Sequence, residues 1–546
     1  MKKHIHFLLV SATLWLGTGL PAVAAALPAT EPAKLPAKPN IVIILVDDMA
    51  FSDLGCYGSE IKTPNIDRLA ANGMKFSQMY NTAKCYPSRA CLQTGVYYQR
   101  TDNAEFPNTA TLGEVLRPEG YHTWWTGKHH GRFNPVTRGY DHFYGFLGGG
   151  EDKFNPWGVT IPGQPAPNGK AKEAEKKGKK GGGKIKPWYD DLKPVTPWQT
   201  VKYTTDGYTD KALQWLDESK KDDKPFLLYV AYTAPHYPLQ AWPQDIAKYK
   251  GIYDAGYAAV RAARYQRQIE LGLVDPKTAP LPPVEQKGKK SKDDESVDFK
   301  VEAKKMEIYA AMVDNVDQNV GRLVKKLEEL GKLDNTLIMF LSDNGGCAEH
   351  PKEGPVKPGV EMGSVGTFLS YGREWATASN TPLRKWKTDS FEGGIGTPLV
   401  VQWPAGLKPQ TGWYREPAHL IDLMPTVAAV SGAKYPGESK QANIHPMDGV
   451  SLLPAFQGQS LARPNPLFFQ FNNGSAMNDG KWKIVRTGNT APWELYDMAA
   501  DRTETHDLAA KRPDLVQKLD AQWKAWWKDC TGKEWTGKAP TEEKDE

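Results

Sequence analysis

The sequence predicts an α/β fold, in which helices flank a large, mostly parallel sheet and a smaller antiparallel sheet follows near the carboxyl terminus. Several β-prone apolar runs lack the alternation of a half-exposed strand, which is typical of strands buried on both faces. Amphipathic helical patterns lie between these runs, and alternating strands and helices form parallel sheets covered on both sides. With 546 residues, the chain is too long for one typical core.

The predicted elements alternate along most of the chain. In the longest helical pattern, Met306, Tyr309 and Val313 belong to a series of apolar residues that recurs at spacings of three and four, the period of one helix face. The predicted strands are 41–46, 121–125, 226–232, 336–341 and 398–403, and the predicted helices are 65–72, 111–117, 208–219 and 302–330.

The character of the sequence changes near Gly449. Short alternating runs at 467–471, 482–485 and 493–496 predict a small antiparallel sheet, and 515–527 predicts a final amphipathic helix. We therefore expect a large domain over 39–460, a carboxyl-terminal subdomain over 461–532 and a disordered tail over 533–546.

The amino terminus has the pattern of a secretory signal. Lys2 and Lys3 precede a short apolar stretch at 7–20, and small residues that suit cleavage follow at 22–26. We expect a signal peptide over 1–26, a Pro- and Ala-rich linker over 27–38 and a periplasmic or secreted protein without stable membrane insertion. An uncleaved anchor is the alternative, although the apolar stretch is short for a membrane span.

The net charge of +5 is mild, and much of it lies in a Lys-rich insertion near 164–186, whereas a second Lys-rich insertion near 286–300 also contains Asp and Glu. Such stretches form solvated surface loops, and attraction to an anionic polysaccharide is the alternative interpretation. No motif indicates nucleic-acid binding, and export argues against it. The five cysteines lack the spacing of a zinc site, and the sequence assigns no disulfide.

Polar residues follow four of the predicted strands at the point where each strand ends. Because ligand-binding groups gather at the carboxyl ends of parallel strands, these residues should meet in one crevice. Adjacent carboxylates at a buried strand end repel each other unless a cation neutralises them, and oxygen ligands favour Ca²⁺ or Mg²⁺ over zinc. A turn or a helix cap is the alternative for each pair alone. The strand-end residues are Asp47, Asp48, Lys128, His129, His130, His236, Asp343 and Asn344.

The segment Cys85-Tyr-Pro-Ser-Arg-Ala-Cys-Leu-Gln-Thr-Gly95 contains the pattern Cys-x-Pro-x-Arg followed by Leu-x-Thr-Gly. It resembles the signature of the type I, formylglycine-dependent sulfatases of the alkaline phosphatase superfamily. The resemblance implies an alkaline-phosphatase-like fold and oxidation of Cys85 to formylglycine by a formylglycine-generating enzyme. A structural or redox cysteine is the alternative.

Three further segments are similar to sulfatase motifs. The resemblance implies that Lys128 and Lys387 bind sulfate, that His130 supports the nucleophile and that His236 lies near the leaving oxygen. Arg89 would hold the formylglycine in position. His129 and Lys385 are rivals for the roles of His130 and Lys387. The three segments are 126–131, 234–238 and 381–394.

The resemblance also implies a metal site made by Asp47, Asp48, Asp343 and Asn344, completed by residue 85 as formylglycine. Calcium is the ion that the resemblance implies, and oxygen ligands alone do not distinguish it from Mg²⁺. The segment 250–256 is similar to bacterial arylsulfatases.

The predicted function is hydrolysis of a sulfate monoester of a sulfated small molecule or glycan, with a sulfated carbohydrate as the favoured substrate. The alternatives are a phosphonate monoester or phosphodiester hydrolase on the same fold, and a noncatalytic polysaccharide-binding protein. Several tryptophans either line a sugar-binding cleft or belong to the core: Trp124, Trp125, Trp157, Trp375 and Trp386.

Overall fold

In the computed structural model of the protein, the apolar run before Asp48 forms the central strand of a large sheet. The signal sequence at 1–26, most of the linker, Trp157 and most of both Lys-rich insertions lie outside the described residues. The structure describes residues 36, 38–101, 105–155, 188–195, 201–283, 298–350, 359–408, 412–438 and 443–538.

Fifteen strands lie within these described ranges, and eleven of them form the large sheet. The strands are β1 (Asn40–Asp47), β2 (Met74–Tyr80), β3 (His122–Lys128), β4 (His142–Phe146), β5 (Trp188–Asp190), β6 (Lys193–Val195), β7 (Phe226–Pro235), β8 (Thr336–Ser342), β9 (Gly396–Gln402), β10 (Trp413–Tyr414), β11 (Ala418–His419), β12 (Leu467–Phe471), β13 (Gly474–Asn478), β14 (Trp482–Thr487) and β15 (Glu494–Asp497).

The helices lie between and around these strands. They are α1 (Pro64–Ala71), α2 (Cys85–Thr94), α3 (Leu112–Leu116), α4 (Thr204–Glu218), α5 (Pro243–Ala247), α6 (Tyr257–Glu270), α7 (Phe299–Glu329), α8 (Gly372–Ser379), α9 (Glu392–Ile395), α10 (Leu423–Ser431), α11 (Leu453–Phe456) and α12 (Pro513–Thr531).

The large sheet has the order β10-β2-β9-β8-β1-β7-β3-β4-β5-β6, with β11 also paired to β2. Its centre, from β8 through β1, β7 and β3 to β4, is parallel, whereas β9 runs antiparallel to both β8 and β2. The five predicted strands correspond to β1, β3, β7, β8 and β9. The predicted fold class is confirmed.

The long helix α7 covers one face of the sheet. It packs against α1, α4 and β7, and its apolar series from Met306 to Leu327 is buried, as the helical spacing predicts. Among the described helices, none has the length and apolar character needed to cross a membrane.

The smaller sheet is antiparallel in the order β12-β13-β14-β15. Helix α12 covers it, and the Trp523 indole donates a hydrogen bond to the Phe469 carbonyl at 3.1 Å. Trp535 packs edge-on against Trp523 and Trp527, each at 4.9 Å between ring centroids. Packed structure therefore extends past Lys533, where the sequence predicts the start of a disordered tail.

Candidate active site

Four neighbouring parallel strands bring polar side chains to one edge of the large sheet. In the order β8, β1, β7 and β3, their carboxyl ends lie side by side. Asp48 and His130 leave their strands with positive φ angles of 67° and 59°. Such backbone conformations cost about 1–3 kcal/mol in residues other than glycine and concentrate at functional sites. The buried residues at this edge are Asp47, Asp48, Lys128, His129, His130, His236, Asp343 and Asn344.

Helix α2 contributes Arg89 to the centre of this cluster. The guanidinium donates from Nε and Nη2 to Asp343 Oδ2 at 3.0 and 2.7 Å, and from Nη1 to the Lys128 carbonyl at 3.2 Å. Arg89 thus ties the signature helix to the ends of β8 and β3.

Two lysines pair with the adjacent aspartates at the end of β1. Lys128 Nζ lies 2.7 Å from Asp47 Oδ2, and Lys387 Nζ lies 2.9 Å from Asp48 Oδ1. Asn344 donates its amide to the same Asp48 oxygen at 2.7 Å. Each of the two adjacent carboxylates is therefore paired with an ammonium group. One comes from the end of β3 and the other from the loop before α9.

Burial and charge act in opposite directions on these carboxylates. Burial raises the pKa of Asp47, but Lys128 and the other nearby cations outweigh burial and lower the pKa below its ordinary value. The pKa of Asp48 is lowered in the same way, chiefly by Lys387. In contrast, burial and the charge of Asp47 raise the pKa of Asp343 well above its ordinary value. A bound cation would favour the ionised form of Asp343.

The same carboxylates fit a metal ion. Among the described residues, the buried atoms Asp47 Oδ1 and Asn344 Oδ1 accept no hydrogen bond, which costs free energy unless another partner binds them. Asp47, Asp48 and His236 offer ligand atoms within 4.8 Å of one another. This buried group could hold a divalent cation, and its oxygens suit a hard ion.

Cys85 is the first residue of α2 and is buried beside His130. Burial raises the pKa of the Cys85 thiol, but the charges of His130 and Lys128 and a hydrogen bond with His130 outweigh burial and lower the pKa well below its ordinary value. Cys91 lies on the same helix, and burial raises the pKa of its thiol. Only Cys85 of these two cysteines is therefore in an environment that stabilises a negative charge.

His236 has a defined orientation. Its Nδ1 lies 2.6 Å from the Tyr237 carbonyl oxygen, which can only accept, so Nδ1 carries a proton. The other ring nitrogen, Nε2, lies 3.6 Å from Asp48 Oδ2 and faces the cluster. Burial lowers the pKa of His236, against the opposing charge of Asp48.

Comparisons with known proteins identify the family of the chain. The sulfatase family profile matches residues 39–433. The chain is 31% identical to an arylsulfatase of Klebsiella aerogenes over 76% of the chain and 91% of the relative. It is 26% identical to the N-acetylgalactosamine-6-sulfatase of Rattus norvegicus over 86% and 75% of the two chains. The chain belongs to the sulfatase family. It is a sulfuric ester hydrolase.

A solved structure agrees with this assignment. The crystal structure of Ps i-CgsB in complex with k-i-k-neocarrahexaose superposes on this sulfatase with a TM-score of 0.65 and is 28% identical, covering 90% of this chain and 93% of the other. The alkaline-phosphatase-like fold expected from the signature is thereby confirmed.

All the predicted site residues lie in one cluster. The structure also distinguishes His130 from His129, and Lys387 from Lys385, as the residue of each pair that reaches the site. His129 points into an aromatic cluster with Trp125 and Phe133, whereas His130 lies against Cys85 and Tyr86. Lys385 lies over the rings of Trp386 and Phe391, whereas Lys387 reaches Asp48.

The tryptophans considered for a sugar-binding cleft are mostly part of the core. Trp124, Trp125 and Trp375 are buried among other aromatic rings. Trp386 is only partly buried, and the Arg373 guanidinium lies 4.8 Å from the centre of its ring. Of the described candidates, only Trp386 offers surface to a ligand.

Sequence reasoning missed the glycine run at 148–150, which follows β4 and passes between the two site histidines. A Cβ on Gly149 would lie 2.7 Å from both Cε1 and Nε2 of His130, whereas a Cβ on Gly150 would lie 3.5 Å from His236 Cε1. A glycine run directly after a strand is a signal of close backbone approach and could have pointed to this segment.

We expect Gly149→Ala to lower kcat by about 10²-fold, since displacing a catalytic group by about 1 Å has an effect of this size. The new methyl group would displace the His130 ring from its position beside Cys85. Steady-state kinetics on an aryl sulfate, together with thermal unfolding, would measure the effect. Gly150→Ala is the matched control, because its methyl group would make only an ordinary contact. Equal kcat values for the two variants would contradict the role of Gly149.

Proposed function

We propose that this sulfatase cleaves the sulfate ester of a sulfated carbohydrate, with formylglycine made from Cys85 as the nucleophile and Ca²⁺ as the bound ion. The observation that carries the proposal is the position of Cys85. Its thiol lies beside His130 at the start of a helix, next to a buried group of three aspartates, an arginine and two lysines.

The residues that would hold the ion are Asp47, Asp48, Asp343 and Asn344, together with residue 85. Ca²⁺ accepts six to eight oxygen ligands in flexible geometry, which suits carboxylates and an amide from two different strand ends. The ion would supply positive charge to the sulfate group and counter-charge to the carboxylates. Mg²⁺ is the alternative ion.

After conversion to a hydrated aldehyde, residue 85 would supply an oxygen nucleophile and a second hydroxyl. His130, next to residue 85, is placed to accept the proton of that hydroxyl as sulfate is released. Arg89 would fix the hydroxyls through its position between Asp343 and the Lys128 carbonyl.

The two buried lysines would stabilise the sulfate charge. Lys128 and Lys387 lie within 3.0 Å of carboxylate oxygens, and each ammonium group has three N–H donors, so it can also donate to a sulfate oxygen. Fixed cations in a buried site stabilise the charge that develops during transfer, as in phosphoryl transfer. His236 or Lys387 would protonate the leaving oxygen, since both lie near Asp48 Oδ2, at 3.6 and 3.0 Å.

The carbohydrate assignment rests on the similar proteins and on the charge of the sequence. One relative is named for N-acetylgalactosamine 6-sulfate, and one similar structure is in complex with k-i-k-neocarrahexaose. The basic insertion near 164–186 would attract an anionic glycan.

We also propose a catalytic domain over 39–460 and a carboxyl-terminal subdomain over 461–532. The smaller sheet packs against the signature segment and the turn after it. The ring of Tyr86 lies 6.0 Å from that of Phe471, and the Tyr98 hydroxyl donates to the Gln470 carbonyl at 3.0 Å. The signal pattern over 1–26 supports a periplasmic or secreted protein, which would meet a formylglycine-generating enzyme during maturation.

We expect a higher kcat/KM on at least one sulfated mono- or oligosaccharide than on a simple aryl sulfate. The measurement is release of sulfate across a panel of sulfated sugars, with an aryl sulfate and an aryl phosphodiester as comparators. Preference for the aryl sulfate across the whole panel would reject the carbohydrate substrate. Preference for the phosphodiester would reject the sulfate ester as the main substrate class.

A further inference from the structure

A cluster of three partly exposed side chains lies just outside the buried site. We call Lys84, Tyr237 and Glu349 the Glu349 cluster. Lys84 Nζ donates to Glu349 Oε1 at 3.0 Å, and the Tyr237 hydroxyl donates to Glu349 Oε2 at 2.9 Å. Each carboxylate oxygen therefore accepts one hydrogen bond from these two side chains and retains a lone pair for another donor.

The Glu349 cluster lies on the side of the site where the leaving group should stand. Glu349 Oε1 is 4.0 Å from Lys387 Nζ, and the Tyr237 ring lies 4.4 Å from the His236 ring at an angle of 31°. His236 and Lys387 are the two groups proposed to protonate the leaving oxygen. The assignment of the Glu349 cluster to the leaving-group side of the site therefore rests on the proposed function.

Exposure supports this order of layers. The side chains of Lys387 and Asp48 are 0% and 2% exposed, whereas those of Lys84 and Glu349 are 17% and 33% exposed. When the sulfate group of a substrate contacts Lys387, the substrate atoms next to the ester oxygen would lie beside the Glu349 carboxylate.

The charge of Glu349 determines what it would accept. Burial raises its pKa, but the charges of Lys387 and Lys84 and the hydrogen bonds from Lys84 and Tyr237 outweigh burial and lower the pKa. An ionised carboxylate only accepts hydrogen bonds, and it repels other anions. A hydroxyl group would be a favourable neighbour, whereas a sulfate or carboxylate would not.

We propose that the Glu349 cluster is a leaving-group subsite for a polyhydroxylated ring, in which a hydroxyl adjacent to the sulfate ester donates to Glu349. By the same contact, Glu349 disfavours substrates that carry a second anionic group at that adjacent position. The sulfatase would therefore prefer sulfate esters whose adjacent ring position carries an uncharged hydroxyl group.

Glu349→Gln tests this subsite on small probes. The ratio of kcat/KM for 2-hydroxyphenyl sulfate, whose hydroxyl beside the ester is neutral at assay pH, to that for phenyl sulfate would be compared between wild type and variant. We expect this ratio to fall about 10-fold, the size of one hydrogen bond to a charged group. Because both probes are measured on the same preparation, the ratio does not depend on the fraction of active enzyme. The two probes differ in leaving-group acidity, but this difference is the same for wild type and variant and does not affect the comparison.

An aryl sulfate with a carboxylate beside the ester is the second probe. Glu349→Gln should raise its kcat/KM relative to 4-nitrophenyl sulfate about 10-fold, whereas Lys84→Met should lower the same relative value. Lys84→Met also gives a result if the Gln variant fails to fold. Glu328→Gln is the matched control, because Glu328 pairs with Arg68 on the surface of α7.

A purely structural Glu349, which only holds Lys387, would lower kcat for all probes equally and leave the ratios unchanged. That outcome would overturn the subsite. Altered ratios without hydrolysis of any sulfated sugar would retain the subsite and reject only the carbohydrate substrate.

Discussion

Cys85→Ala is expected to abolish sulfate-ester turnover while the protein stays folded. The proposed nucleophile derives from this side chain, and loss of a nucleophile lowers kcat by about 10⁶-fold in well-studied hydrolases. Residue 85 begins α2 and is buried, so alanine retains the helix and removes only the thiol. Activity on an aryl sulfate and a thermal unfolding curve would be measured on the same preparation.

Cys91→Ala is the matched control, since it removes a second buried thiol from the same helix. It should retain turnover, because burial raises the pKa of Cys91 and no site group lowers it. Mass spectrometry of the wild-type peptide around residue 85 should show the sulfur replaced by an aldehyde oxygen. A fully active preparation with an intact Cys85 thiol would reject formylglycine.

The strands that carry the site were predictable because their burial leaves a simple pattern. β1, β7 and β8 are covered on both faces, so each is a continuous apolar run, and the polar residues that follow within a few positions of the run mark the sheet edge. Asp48, His236 and Asp343 therefore follow from the sequence without any knowledge of their partners.

Other parts depend on contacts that no local pattern encodes. Strand β2 contains Lys75 and Gln78 and pairs antiparallel with β9, so it lacks an apolar run. Helix α2 begins with Cys, Tyr and Pro, which give no helical pattern. The buried hydrogen bond from Arg89 to Asp343 holds this helix in the core. Glu349 likewise has no motif, because its role arises only from Lys84, Tyr237 and Lys387 meeting in space.

The smaller sheet shows a third case. Its alternating strands were predictable, but its attachment to the site was not. Lys483 on β14 is fully buried and lies 2.7 Å from both Glu392 Oε1 and Glu504 Oε1. Glu392 begins α9, five residues after Lys387, so this ion network connects the subdomain to the loop that carries a proposed sulfate-binding lysine.

Asp343→Ala is expected to reduce both activity and stability strongly. Asp343 is the proposed metal ligand that also receives two hydrogen bonds from the buried Arg89. Removal of one partner from a buried ion pair destabilises proteins by about 3–5 kcal/mol, because the other charge is left without compensation. Activity should fall more than about 10²-fold, since even the partners of metal ligands contribute about 10–100-fold.

A second buried aspartate, which is not a proposed metal ligand, serves as a control that separates the effect of losing the metal from the effect of losing a buried ion pair. Asp53 lies 2.7 Å from Arg264 Nη1, and both side chains are almost fully buried. Asp53→Ala should therefore lose stability to a similar extent while its unfolding temperature still rises with added Ca²⁺, as expected for an ion that binds only the folded state. Asp343→Ala should show little or no rise over the same Ca²⁺ range. A Ca²⁺-dependent rise equal to that of wild type in Asp343→Ala would exclude Asp343 as a ligand, and full wild-type activity after verified removal of all metal would exclude a catalytic role for the ion.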